Sequence, residues 1–109
     1  MENKFERGFE RIPTKEEILE IIGRHSENYI VERELSDEQG IYLLEVSVQD
    51  PKTGNRTEYC YVRKGRYAGN CEASETEIHA IFYDGDTPKS GVKISTFITE
   101  SGQWKDEKR

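Results

Sequence analysis

Residues 41–64 read IYLLEVSVQDPKTGNRTEYCYVRK. Tyr42, Leu44, Val46 and Val48 alternate with Leu43, Glu45, Ser47 and Gln49, the period of two that marks a strand with one buried face. Asp50-Pro51-Lys52-Thr53-Gly54-Asn55 is then the strongest turn signal in the chain. Proline presets φ at its second position, and glycine accepts a left-handed conformation. Arg56 to Lys64 runs back as a second strand, so the stretch is a hairpin around which the fold is organised.

The same period continues on both sides. NYIVEREL (28–35) precedes the hairpin across SDEQG, and TEIHAIFYD (76–84) and GVKISTFIT (91–99) follow it, joined by GDTPKS. Upstream, Thr14-Lys15-Glu16-Glu17 has the capping-box form, with Ile18, Ile21, Ile22 and His25 sharing one helical face and Leu19 at its edge. A helix this short needs a surface to lie on. The expectation is an α+β fold: one N-terminal amphipathic helix packed on a five-stranded, mostly antiparallel meander sheet. In architecture that arrangement resembles cystatin-like α+β folds, a likeness that carries no function.

One domain at 14–100 is expected, between an N-terminal arm at 1–13 and a polar C-terminal tail at 101–109 in which only Trp104 is pinned. The arm repeats Phe-Glu-Arg, and Phe5, Phe9 and Ile12 would share one helical face. Such an arm either docks on its own domain or binds a partner or second copy.

A chain of 109 residues with 33% hydrophobic and 35% charged residues has room for a single modest core. A net charge of −6 opposes a generic polyanion partner. The opening MENKFERGFERIP holds no apolar run, so neither a signal peptide nor a membrane span is read and the cytoplasm is the expected compartment. There, Cys60 and Cys71 are expected as free thiols. Two cysteines without CxxC or paired histidines do not suggest a metal site, and no cofactor motif is present. GxSxG, HExxH and phosphate-cradling glycine loops are also missing, which leans against an enzyme.

Strand alternation assigns one sheet face to the core: Tyr42, Leu44, Val46, Val48, Ile78, Ala80, Phe82, Val92, Ile94 and Ile98, covered by the helix isoleucines. The other face should then be polar. Instead it is read as carrying Leu43, His79, Ile81, Tyr83 and Phe97, with Tyr59 and Tyr61 (or else Cys60 and Val62) from the middle strand. Arg56, Arg63, Lys64 and Arg66 would form its rim and steer a partner. The leading expectation is therefore a non-catalytic interaction or dimerisation module, binding a protein partner or a second copy through this face. A small-ligand pocket or modest enzyme, with His79 at the floor of a curled sheet, is the alternative. The basic residues with Tyr59, Tyr61 and Tyr67 also hint at nucleic acid, but no RNP-type motif is present and Glu58, Glu72, Glu75 and Glu77 dilute the positive field, so nucleic acid is disfavoured.

Overall fold

Thr14 starts the first element of the structure, a computed structural model that describes residues 11–24, 28–69 and 71–107. Its hydroxyl accepts the Glu17 amide and the Glu17 carboxylate accepts the Thr14 amide, so the capping box forms in full and α1 (Lys15–Gly23) follows. Arg11 adds a bidentate ion pair to Glu17 and donates to the Gly102 carbonyl, which ties the start of the helix to the far end of the sheet. Ile18, Ile21 and Ile22 are buried against that sheet.

The sheet has six strands: β1 (Ile30–Asp37), β2 (Gly40–Gln49), β3 (Arg56–Val62), β6 (Thr76–Asp84), β7 (Thr87–Ile98) and β8 (Gln103–Asp106), each antiparallel to its neighbours in that order. Between β3 and β6 the chain makes a small separate ribbon of β4 (Tyr67–Ala68) and β5 (Cys71–Glu72). The α+β class and the antiparallel meander thus hold, with six strands where five were expected. The sixth comes from the segment read as a polar tail. Trp104 pairs with Phe97 and packs on the core, and Ser95 donates to Asp106 at 3.0 Å, which together fix a short strand. The expected loop at 85–90 closes as a tight turn at Gly85 (φ 63°) and Asp86, with residues 87–90 inside β7. The expected loop at 65–74 contains the ribbon. Residues 1–10 of the arm, with Phe5 and Phe9, and His25, expected on the helical face, lie outside the described residues.

The core forms between α1 and one sheet face. Ile41, Leu44, Val46, Tyr59, Tyr61, Ile78 and Ala80 join the three helix isoleucines, and one row, Leu44–Tyr61–Ile78–Ser95, crosses the sheet in register. Each large side chain buried there contributes ~1.5–3 kcal/mol relative to exposure. Two irregularities decide which side chains reach this face. Between Leu35 and Ser36 the β1–β2 register shifts, leaving Tyr42 as an extra residue in β2. Ile41 takes the core place expected for Tyr42, and Tyr42 stacks under Arg66, 4.1 Å from guanidinium carbon to ring centroid. On β7 the pairing jumps from His79↔Lys93 to Ile78↔Ser95, so Ile94 is inserted and the alternation inverts beyond it.

Candidate functional site

The observed register redistributes the residues expected on the second face. Phe97 shares the side of Ser95, is 1% exposed and meets the Trp104 ring edge-on at 5.2 Å. Tyr59 and Tyr61 register with Val46 and Leu44, and both are buried in the helix-side core. The expectation that these three aromatics line the second face is corrected: Cys60 and Val62 are the middle-strand residues there. Leu43, His79, Ile81 and Tyr83 do lie on that face. Leu43 is 2% exposed, so it contributes filling and not surface. Phe82, placed in the core by alternation, is on the helix side but beyond the short helix, and stays exposed.

The rim residues are also committed elsewhere. Arg63 and Arg66 both donate to the Asp37 carboxylate, and Arg63 additionally faces the Gly40 and Ile41 carbonyls. Arg63 first, then the Gln39 amide and Arg66, hold the Asp37 carboxyl far below the usual carboxylate range. Arg56 stacks on the Tyr83 ring at 4.1 Å, while Tyr83 donates to Glu58 at 3.2 Å. Lys64 is exposed, and its amide is held by the Thr76 hydroxyl at 3.0 Å. Three of the four basic side chains therefore brace the sheet.

The second face itself is concave. The β4–β5 ribbon folds back beside β3 and β6, and a pocket of about 500 Å³ opens between ribbon and sheet. Its floor holds a cross-strand row, Glu45–Cys60–His79, each residue registered with the next on a neighbouring strand, and Arg33 continues the row on β1 outside the pocket. Val62 and Ile81 flank that row on the floor, Glu58 and Glu77 sit beside them, and Cys71, Glu72 and Ala73 come from the ribbon side. The ribbon is positioned by short turns. Gly65 takes φ 86° and donates to the Ala73 carbonyl, Ala73 donates back to Arg66, and Gly69 turns at φ 64°.

Charge inside the pocket is one-sided. Four glutamates line it and no lysine or arginine does. Glu45 is bound from outside by Arg33 at 3.2 and 3.3 Å, Glu58 accepts from the Tyr83 hydroxyl, and Glu77 lies 2.5 Å from His79 Nε2. Glu72, exposed on the ribbon, has no partner among the described residues. Burial, then Glu45 and Glu58, pushes the Cys60 thiol up to about 11, so it is neutral in the floor. Among the described residues no group of three or more His, Cys, Asp or Glu has metal-holding geometry. No helix among them is long and apolar enough to cross a membrane.

Sequence reasoning missed Cys60, Val62, Glu45, Glu58 and Glu77 as the residues around His79 and Ile81. The signal was present as the alternative phase of the middle strand, Cys60 with Val62 against Tyr59 with Tyr61. Comparison with known proteins gives no match: no family model, no curated protein and no solved structure resembles the chain.

Proposed function

We propose that the chain is a cytoplasmic, non-catalytic binding domain whose site is the second-face pocket, and that its ligand is a small organic cation with an apolar body. The observation that carries this is the pocket's lining: four glutamates, no lysine or arginine, and an apolar floor at Val62 and Ile81. A volume of about 500 Å³ is in the range of small-molecule sites. An ammonium or amidinium group would meet Glu58, Glu72 and Glu77, and an aromatic or branched aliphatic body would cover the floor. Cys60 and His79 stand opposite one another, but a thiol held neutral by burial and then by its carboxylate neighbours is poorly suited to nucleophilic work.

Methyl and amide NMR shifts with matched benzylammonium, benzyl alcohol and benzoate test the reading. Benzylammonium should shift Val62, Ile81, Ala68 and Ala73 with an affinity at least tenfold above the other two. Equal responses to all three sink the cation class and keep the pocket. No response at these residues from any probe sinks the pocket.

A contact with a protein partner or second copy is a second reading, now favoured at a different place. Ile30 is 67% exposed on β1, an edge strand of the sheet, opposite Ser47. Sedimentation showing a monomer at high concentration, unchanged in Ile30→Asp, would remove the dimer version.

A further inference from the structure

We infer that Cys60 and Cys71 form a thiol pair that oxidises to a disulfide across the pocket and closes it. In sequence the two are separated by a strand end, a turn and the ribbon; in the fold they line one cavity, Cys60 in its floor and Cys71 on its ribbon side. Both are free thiols. Cys71 is exposed and Cys60 half-buried, so an oxidant as large as glutathione disulfide meets the first more readily than the second.

The ribbon is a structural unit of its own. Its strands pair at Tyr67↔Glu72 and Ala68↔Cys71, the Gly65–Ala73 and Ala73–Arg66 bonds close its base, and it forms a sheet of its own apart from the main one. Glycines with positive φ stand at its base and tip, Gly65 and Gly69. A disulfide requires Cα atoms roughly 4.4–6.8 Å apart. Cys60 and Cys71 line the same cavity from floor and ribbon, so a bond between them spans its interior, and an oxidised pair and an occupied pocket exclude each other.

The chemistry is thiol–disulfide exchange with a small disulfide such as oxidised glutathione. The Cys71 thiolate attacks one sulfur of the oxidant, the oxidant's S–S bond breaks, and one glutathione thiolate leaves with the electron pair. The Cys60 thiol then loses its proton and attacks the Cys71 sulfur, and the second glutathione leaves. Two protein thiols are oxidised, one disulfide is reduced to two thiols, and the protons from Cys71 and Cys60 end on the two leaving groups. Because burial and two glutamates keep Cys60 protonated, the second step is the slow one and accelerates with rising pH.

Closure matters for function only if the pocket is the binding site, whereas disulfide formation is independent of that reading. The full chain, reduced and then exposed to oxidised glutathione, should pass through a glutathione adduct on Cys71 to a monomer lacking two hydrogens, with Cys60 and Cys71 in one linked peptide. Cys60→Ser should stop at the adduct, and Cys71→Ser should react at least tenfold more slowly than the parent. Benzylammonium-induced shifts should vanish on oxidation and return on reduction. Arrest of the parent at the adduct, or linkage between two chains, overturns the pair and leaves the pocket reading intact. A disulfide that leaves probe binding unchanged overturns the closure. A reduced chain that binds no probe removes the pocket reading, while the mass result still decides the pair.

Discussion

Cys60 stands directly opposite His79 in the β3–β6 ladder, and His79 Nε2 lies 2.5 Å from Glu77 Oε1. Thiol, imidazole and carboxylate therefore come together on three adjacent positions of one sheet face, an arrangement that invites a nucleophile assignment. The electrostatics oppose it. Burial raises the Cys60 thiol to about 11, with Glu45 and Glu58 adding to the shift, and only Arg33 works the other way.

The first prediction follows from that contrast with exposed Cys71. At neutral pH, iodoacetamide should label Cys71 at least tenfold faster than Cys60, and the Cys60 rate should climb with pH toward about 11. Peptide mapping of a time course distinguishes the two sites. Equal rates at pH 7 would mean that Cys60 is neither buried nor protonated as described.

A second prediction concerns the Asp37 clasp. Arg63 is only 8% exposed, and its guanidinium relies on Asp37 together with two carbonyls. Asp37→Asn leaves that cation without its counter-charge and should lower the unfolding midpoint. The pH dependence has a definite sign. The folded pKa of Asp37 is depressed, by Arg63 foremost, so its contribution is complete above the unfolded value near ~4 and fades as pH falls toward the folded one. Urea midpoints for parent and Asp37→Asn should therefore differ most near neutrality and converge in acid. A constant gap across the acid range would contradict the clasp.

A third prediction uses a buried hydroxyl. Tyr61 is fully buried, and its hydroxyl has no hydrogen-bond partner among the described residues. Burial raises its ionisation well above the ordinary phenol value, and an unpaired buried hydroxyl costs on the order of 1–3 kcal/mol. Tyr61→Phe keeps the ring against Trp104, 6.4 Å away edge-on, and removes only that cost. Chemical denaturation should find the variant as stable as the parent or up to ~2 kcal/mol more stable. A loss above ~1 kcal/mol would show that the hydroxyl has a partner.

What the sequence made legible follows from how local each signal is. The capping box at Thr14 and Glu17, the Asp50–Asn55 turn and the alternation of Leu44, Val46 and Val48 in β2 depend on neighbours a few residues apart, and all three form as read. Tyr42 and Ile94 mark where that reading fails. A bulge is a property of two paired strands, so single-strand alternation carries no sign of it and every side chain beyond is assigned to the wrong face. That is why Phe97 was expected on the open face. β8 was hidden for a related reason: four residues, three of them polar or charged, show no period of their own, and only Trp104 docking on Phe97 and the core makes them a strand. The pocket was harder still, because the ribbon over it contributes only two residues per strand.

The last prediction tests the inverted face of β7. With Ile94 inserted, Phe97 points to the helix side, where the Trp104 ring and the Arg11 guanidinium close over it, the latter 5.0 Å from its centroid. Phe97→Ala then opens a cavity at the junction of β6, β7, β8 and the start of the helix. The expected cost is ~3–5 kcal/mol, a large share of what a domain this size has to spare. Were Phe97 on the pocket face, where a side chain meets solvent, the same substitution would cost under ~1 kcal/mol. The two cases also separate by location. Amide shifts in Phe97→Ala should concentrate at Arg11, Thr76 and Trp104, and those of Val62, Ile81 and His79 should stay close to the parent. Urea unfolding gives the energy and the shift map gives the face, so a small cost with shifts centred on the pocket would return Phe97 to the second face and remove the bulge from β7.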